Sequence, residues 1–545
     1  MAAASIEPAH DGVIPTRAWL ASLWAGMLLL SFLGLNRSLW TPDEPREAEI
    51  GREMLLAPGV IPTLNGARFI EKPPLYYWVV ATAYRIAGAP SPAAARSVSA
   101  IAGFLTLLVV GMWGLRAESG AVGTLAAVML ATSLQFLQSS HWVLIDPLLA
   151  LFTTVAAWAA WEALQAPAAR GAATALCAAI VLALWTKGLI GPALIGAGLL
   201  VHALVARRLA WRELGGIPGA LIASGGLALL AGAIYASGGY PAFYEWAWVN
   251  HVQRFANPDA TGHRQPIAYY LWTLPAAALP WIVPLAFALL PASLRGNDRP
   301  ARLRRYCGAM GLGMLLVLSA SATKRGIYVL PMLPLLSLLS ASLLADAFRG
   351  EGRGATASWW TQLGVAAAMT IAVPVAAMAY TQQRDKSALL FLALPLVALS
   401  AAAVATRRRS GMAIALLAWG ALLLAGGAVV LAPRMFDANK NLTPLVRWLD
   451  EKLSPGEAVY VVNSDETLVA IIPFVSGRRV IPIDLAAVLD SHAGPAQLPA
   501  RVLAQEKSGP ITLAPRYRLL ASFRPGTGRA LSLWVLDTGS PRPAV

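Results

Sequence analysis

Apolar runs of about 17–25 residues, the length needed to cross the hydrocarbon core of a bilayer, recur down most of this 545-residue chain. That recurrence excludes an ordinary soluble globule before any motif is read. Only 13% of the residues are charged and the mean hydropathy is +0.59, whereas soluble domains carry roughly a quarter charged residues. The chain therefore reads as a polytopic membrane protein. Its first apolar run, 18–35, lacks a small-residue cleavage site and is followed by many others, so it reads as a retained helix and not a removed signal peptide.

The same criterion predicts spans at 18–35, 95–115, 120–138, 146–164, 171–186, 188–206, 216–237, 267–291, 306–321, 327–346, 358–380, 388–406 and 411–432, about thirteen in all. Two intervals interrupt the pattern. Residues 36–94 hold an amphipathic stretch, with Ile50, Met54 and Leu55 on one face and Glu49, Arg52 and Glu53 on the other, and then Tyr76, Tyr77 and Trp78. Aromatics beside charge suit short helices lying along the membrane surface. Residues 238–266 read as a polar, aromatic loop. After 433 the composition turns soluble: a helix over 442–453 and strands over 458–463, 468–475, 479–483, 511–515 and 530–536 fit a small α/β domain. The expected fold is thus mainly α. A transmembrane domain, 1–433, carries its active site on the loops 36–94 and 238–266, and a soluble α/β domain spans 434–545.

The formal net charge is +15. Its arginines cluster in short loops at 207–212, 295–305, 349–353 and 407–409, which is the bias of cytoplasmic loops together with contact to anionic lipid, not the patch of a nucleic-acid binder. A cytoplasmic N-terminus then places 36–94, 238–266 and 434–545 on the far side of the membrane. Cys177 and Cys307 lie in or beside apolar runs without metal spacing and read as core residues. No Gly-rich loop opens a strand–helix nucleotide unit, so a glycosyl donor for such a chain is better sought among lipids.

Chemistry concentrates where charge is scarce. Asp43 and Glu44 follow the first span directly, and ionisable groups at a membrane boundary are costly to keep. Few bases fall on that side, but Lys72, His251, Arg254, Arg264, Lys324 and Arg325 are among them, from segments far apart in sequence. Their convergence over an apolar bundle suits an anionic headgroup on a lipid tail, Arg gripping phosphate in a bidentate way and Lys as a point charge. Asp146 opens a span on the same side, as an N-cap or as a site residue. No cofactor is required by any motif. Glu71 and His251 are the candidate ligands if a divalent zinc or magnesium ion bridges a phosphate.

Pro42-Asp43-Glu44, Ala48-Glu49-Ile50, Arg52-Glu53-Met54, Phe69-Ile70-Glu71-Lys72-Pro73, Gln253-Arg254-Phe255-Ala256, Pro266 with Tyr269-Tyr270, and the segment 324–331 resemble the membrane glycosyltransferases of the C-type fold, the group that includes protein O-mannosyltransferases. The closer resemblance is to the bacterial family that transfers 4-amino-4-deoxy-L-arabinose to lipid A. It covers nearly the whole chain. It implies an inverting transfer from undecaprenyl phosphate to a lipid A phosphate at the inner membrane, active site and C-terminal domain periplasmic, and resistance to cationic peptides such as polymyxin. It implies Asp43 and Glu44 as catalytic carboxylates and Arg46, Lys72, Arg254, Lys324 and Tyr328 around the donor phosphate, with Asp146, Tyr76 and Arg264 in support. Two other readings stand beside it: a polyprenyl-phosphate-hexose transferase acting on a protein or glycan hydroxyl, and a lipid transporter. A transporter tends to place charge near the midplane on broken helices in repeated halves; here the charge lies at one boundary and no repeat is visible.

Overall fold

The computed structural model describes residues 17–166, 170–208, 210–257, 265–349, 353–381, 395, 397–402, 404–405, 411–489, 499–506, 511, 513, 517–524 and 530–536. They form two compact units: 1–35, 70–76 and 96–431 make the first, and 36–69, 77–95 and 432–545 the second.

The first unit is a multi-pass bundle of apolar helices. Among the described residues, length and composition assign five spans, Pro92–Ala117, Asp146–Gln165, Gly216–Ala256, Gly326–Asp346 and Ala413–Asp437, or seven if each of two bent helix pairs crosses once. Shorter apolar helices such as Arg17–Phe32 and Ile190–Ala206 stand beside them. Two expected spans are broken. Residues 120–138 become Gly120–Ala131 and Leu134–Ser140 with a 72° bend, and 267–291 become Tyr269–Ala277 and Ile282–Ala288 with a 120° bend. The expected span 388–406 lies largely outside the described residues.

Helices approach closely where side chains are small, as expected where lipid gives no hydrophobic drive to association. A Cβ on Gly313 would lie 2.3 Å from the Ala197 carbonyl. The helices Arg299–Ala320 and Ile190–Ala206 are thereby held nearly backbone to backbone. Met27, Trp113, Met310 and Leu338, all fully buried, belong to the main core, and the buried Tyr306 hydroxyl donates to the Ala157 carbonyl at 2.7 Å. Cys177 and Cys307 are buried and unlinked.

One expected loop is a helix. Within the expected loop 238–266, the helix Gly216–Tyr244 continues into a π-helix, Glu245–Gln253, and a last turn, Arg254–Ala256; 258–264 lie outside the described residues. The element bends at Gly239, where φ is 67°, and beyond it Trp246 is buried while Tyr244 and Trp248 stay exposed.

The second unit is an α/β layer. The strand Val459–Val462 runs parallel to Val480–Ile483 on one side and to Arg501–Gln505 on the other; Leu531–Leu536 and then Tyr517–Phe523 follow antiparallel. Val462, Val502, Ala504 and Trp534 form its core. The helices Thr443–Lys452 and Glu466–Ser476 complete it. The second replaces the strand expected at 468–475. Asp465 caps it by accepting from the Thr467 and Leu468 amides, and Gly477 ends it at φ 69°, two stop signals that outweigh β-branched composition. The expected strand 511–515 falls mostly outside the described residues.

The acidic helix Asp43–Leu56 packs on Glu466–Ser476. Arg46 reaches Glu466 at 2.7 Å, and the Asn65 side chain donates to the Val480 carbonyl at 2.9 Å. The expected outward polar face is in part an inward one: Glu49 is fully buried and held by Arg52 at 2.6 and 2.7 Å. Burial lifts the Glu49 carboxyl from 4.5 to about 7 despite that ion pair. Folded protein then holds more protons than unfolded chain between those values, so this group's contribution is full below pH 4.5 and fades up to about 7. Melting temperatures of Glu49→Gln relative to the unaltered protein should rise across that interval and level off above it.

Candidate functional site

The polar groups of the first unit converge at one end of its helices. Asp146 begins Asp146–Gln165, Lys187 ends Arg170–Lys187, Ile190 begins the next helix, and Val317 and Leu318 lie near the end of Arg299–Ala320. They line a cavity of about 440 Å³ together with Glu71, Lys72, His251, Arg254 and Tyr328. Its deeper wall is apolar, formed by Leu149, Ala193, Leu194 and Val317 among others. An amphiphile with a charged head fits such a lining.

Two cations meet at Glu71: Arg254 at 2.8 Å and Lys72 at 3.8 Å. A second pair lies in the same wall, where Lys187 bonds Asp146 and stands 4.8 Å from the centre of the Tyr328 ring. Asp146 is the first helical residue after Ile145 and not an N-cap; its carboxylate goes to Lys187. The segments are tied by backbone bonds. Ala322 donates to the Phe255 carbonyl at 2.8 Å and the Thr323 hydroxyl to the Arg254 carbonyl at 3.4 Å, so the turn 321–325 and the helical turn that follows the π-helix form one wall. π-Helical turns are rare and frequent at functional sites.

Lys324 is buried, and its ammonium donates to the Ser321 and Gln265 carbonyls at 2.5 and 3.3 Å. Desolvation holds it below the ordinary lysine range. Its neighbours Ser321 and Thr323 line the cavity. Tyr76 is fully buried. Arg264 lies outside the described residues. His251 donates its Nδ1–H to the Trp246 carbonyl at 2.6 Å. Among the described residues no three His, Cys, Asp or Glu side chains group as metal ligands, and the Glu71 carboxylate is already engaged by Arg254.

Gly188 makes the His251 position available. Its φ is +73°, and a Cβ there would sit 2.0 Å from His251 Nε2. Gly188→Ala should lower the melting temperature through a left-handed backbone costing about 1–2 kcal/mol and through this clash. Adding His251→Ala should relieve the clash alone and recover part of the loss.

Asp43, Glu44 and Arg46 lie in the second unit. Glu44, wholly buried, accepts from Arg37 at 2.7 Å and from the Trp40 amide at 2.7 Å. Asp43 accepts from Arg46 at 3.1 Å, while Arg46 also engages Glu47 at 2.8 Å and Glu466 at 2.7 Å. Desolvation opposes its charge, but Glu47 and Asp43 outweigh it and hold the guanidinium well above the usual arginine range. Lys187 belongs to this cavity although no sequence motif marks it; its signal is a base directly after the predicted span 171–186 and directly before a glycine.

A multi-pass apolar bundle with a basic, apolar-walled cavity at one end and a mixed α/β unit is the architecture of an integral-membrane glycosyltransferase-like protein. Residues 18–245 match the family described as dolichyl-phosphate-mannose-protein mannosyltransferase. ArnT from Cupriavidus metallidurans, in its crystal structure bound to undecaprenyl phosphate, has the same fold: TM-score 0.78 at 22% identity, covering 97% of this chain and 100% of that one. The undecaprenyl phosphate-alpha-4-amino-4-deoxy-L-arabinose arabinosyl transferase of Pseudomonas aeruginosa PAO1 is 30% identical over 415 residues, 72% of this chain and 71% of that protein. The chain belongs to this family of arabinosyl transferases. Transferase 2 of Sodalis glossinidius is 33% identical over 337 residues, and there the match spans 57% of the relative's length.

Proposed function

We propose that this protein transfers 4-amino-4-deoxy-L-arabinose from undecaprenyl phosphate to a phosphate of lipid A, at the periplasmic face of a bacterial inner membrane. The observation that carries the reading is the convergence of Lys72, Arg254 and Lys187 on one apolar-walled cavity. A polyprenyl phosphate needs that combination, and the relatives' aminoarabinosyl transferase names supply the sugar. The domains of this reading are a transmembrane transferase domain, 1–433, and a periplasmic α/β domain, 434–545.

In the transfer, an acceptor phosphate oxygen attacks the anomeric carbon. The bond from that carbon to the undecaprenyl phosphate oxygen breaks, and the leaving phosphate takes the electron pair. Lys72 and Arg254 stabilise the charge that grows on it, with Lys187 and Lys324 adding positive field and Tyr328 a hydroxyl. A phosphate whose second pKa lies near 6 is already ionised at pH 7, so the step requires no strong base. Direct displacement inverts the anomeric centre. We assign Asp43 to orienting the acceptor and the cationic sugar amine. Glu44, with both Arg37 and the Trp40 amide upon it, anchors the segment. Glu71 and His251 would take a divalent ion only if Arg254 released Glu71.

Purified protein supplied with the undecaprenyl-phosphate-linked aminoarabinose and lipid A should yield lipid A heavier by one aminoarabinose, seen by mass spectrometry. Transfer from a polyprenyl-phosphate hexose to a peptide or glycan, with none to lipid A, would overturn the reading. So would lipid movement across vesicles without any transfer.

A further inference from the structure

We propose that the first unit carries a second lipid site, for an anionic glycerophospholipid, at the end of the bundle away from the Lys72–Arg254 cavity. This inference is independent of the reading of that donor site. A cavity of about 810 Å³ is lined by helices that also line the first, but by other parts of them. Along Asp146–Gln165 the first cavity takes Asp146 and Leu149, the second Trp161 and Gln165. Along Ile190–Ala206 the first takes Ile190 and Leu194, the second Leu199 and Ala206. Along Arg299–Ala320 the first takes Val317 and Leu318, the second Arg302 and Arg305. At 1.5 Å per residue a 17-residue helix such as Ile190–Ala206 is about 25 Å long, so the two cavities face opposite surfaces of a bilayer.

The chemistry of the second cavity is that of a headgroup and a chain. Its body is apolar, with Leu176, Ile180, Leu199 and Leu200 in the wall. Gly216, Gly219, Ala220 and Ala223, at the start of Gly216–Tyr244, leave that wall shallow. Arg302 and Arg305 line it as well. Arg302 donates to the Asn297 carbonyl at 2.6 Å, and Arg305 to the Leu294 carbonyl at 2.9 Å and to the Gly296 carbonyl. These partners are neutral oxygens, and among the described residues no carboxylate forms an ion pair with either. Arg208, also in the lining, is by contrast paired with Glu213. Two uncompensated guanidiniums beside an apolar cavity complement a phosphodiester, which accepts bidentate donors.

A separate observation points the same way. Trp161 lines the cavity and is 2% exposed, yet its indole N–H has no partner among the described residues. His202, in the same wall, has an unpartnered Nδ1. Buried donors of this kind are normally satisfied, and an ester carbonyl of a glycerophospholipid is the group that an apolar, lipid-facing cavity can bring to the Trp161 N–H. The occupant is therefore a two-chain lipid with an anionic head, drawn from the leaflet that the arginine-rich loops face.

The full chain in detergent, titrated with phosphatidylglycerol and followed by native mass spectrometry, should retain one lipid that phosphatidylcholine does not displace at equal concentration. The double replacement Arg302→Ala with Arg305→Ala should weaken that retention about tenfold or more, the loss expected for one or two charge-assisted bonds. Ala220→Phe, which fills the cavity and leaves every charge in place, should abolish it. It keeps the test decisive if the arginine variant fails to fold. Equal retention of phosphatidylcholine, wild-type retention in folded Ala220→Phe, or selective occupancy by undecaprenyl phosphate in place of phosphatidylglycerol would each overturn the proposal.

Discussion

Replacing Arg254 by Ala should reduce turnover by about 10²–10³-fold, the usual consequence of removing one donor aimed at developing negative charge. The expectation rests on where the guanidinium is held. It is anchored at 2.8 Å to Glu71, its carbonyl takes the Thr323 hydroxyl, and its side chain keeps 20% exposure toward the cavity. Charge on the leaving phosphate grows during bond cleavage, so the loss should fall on kcat and on kcat/KM alike; a residue that only binds the ground state would raise KM alone. Arg254→Lys keeps the charge but not the planar fork, and should recover part of the rate. Loss of melting temperature equal to that of a core substitution, with unaltered turnover in whatever protein remains folded, would make Arg254 a structural residue.

The comparison of Arg254 with Lys187 shows what a sequence can reveal here. Both are rare bases near the ends of apolar segments, and both line one cavity. Arg254 was legible because Gln253-Arg254-Phe255-Ala256 stands in a recognisable motif. Lys187 stood in none, and its partner Asp146 is 41 residues away, so only the packing of two helix ends brings them together. The apolar runs were legible for the same reason that they fold: bilayer thickness sets their length. Bends were not. The 120° break within 269–288 and the π-helix before Arg254 depend on neighbours in space, and apolar composition alone cannot announce them. At 466–476 the opposite happened. The capping residues Asp465 and Gly477 stand in the sequence, but Val469, Ile471, Ile472 and Val475 favour a strand by composition. The polar face of 43–56 misled in a further way. Glu49 and Arg52 read as one outward polar face because such a pattern is ordinarily a surface one, whereas Glu49 is fully buried and paired with a partly exposed Arg52.

Glu44 and Asp43, adjacent and chemically alike, should therefore respond to substitution in opposite ways. Glu44→Gln leaves the Arg37 guanidinium, whose side chain is 9% exposed, with no carboxylate at 2.7 Å. Removing one partner of a buried pair generally costs about 3–5 kcal/mol, and the Trp40 amide loses a charged acceptor as well. The second unit should then melt early and become open to proteolysis around 36–56. Asp43→Asn removes a carboxylate that is 12% exposed and shares Arg46 with Glu47 and Glu466. Because two carboxylates remain on that guanidinium, the loss should stay near 1 kcal/mol, and the purified protein should fold but transfer less sugar to lipid A. Thermal melts of the two variants, read beside the transfer assay, separate anchoring from chemistry. An Asp43→Asn protein with full transfer would take Asp43 out of acceptor handling. A Glu44→Gln protein as stable as its parent would show that Arg37 finds its stabilisation elsewhere, in the Trp40 ring 3.3 Å from its guanidinium carbon.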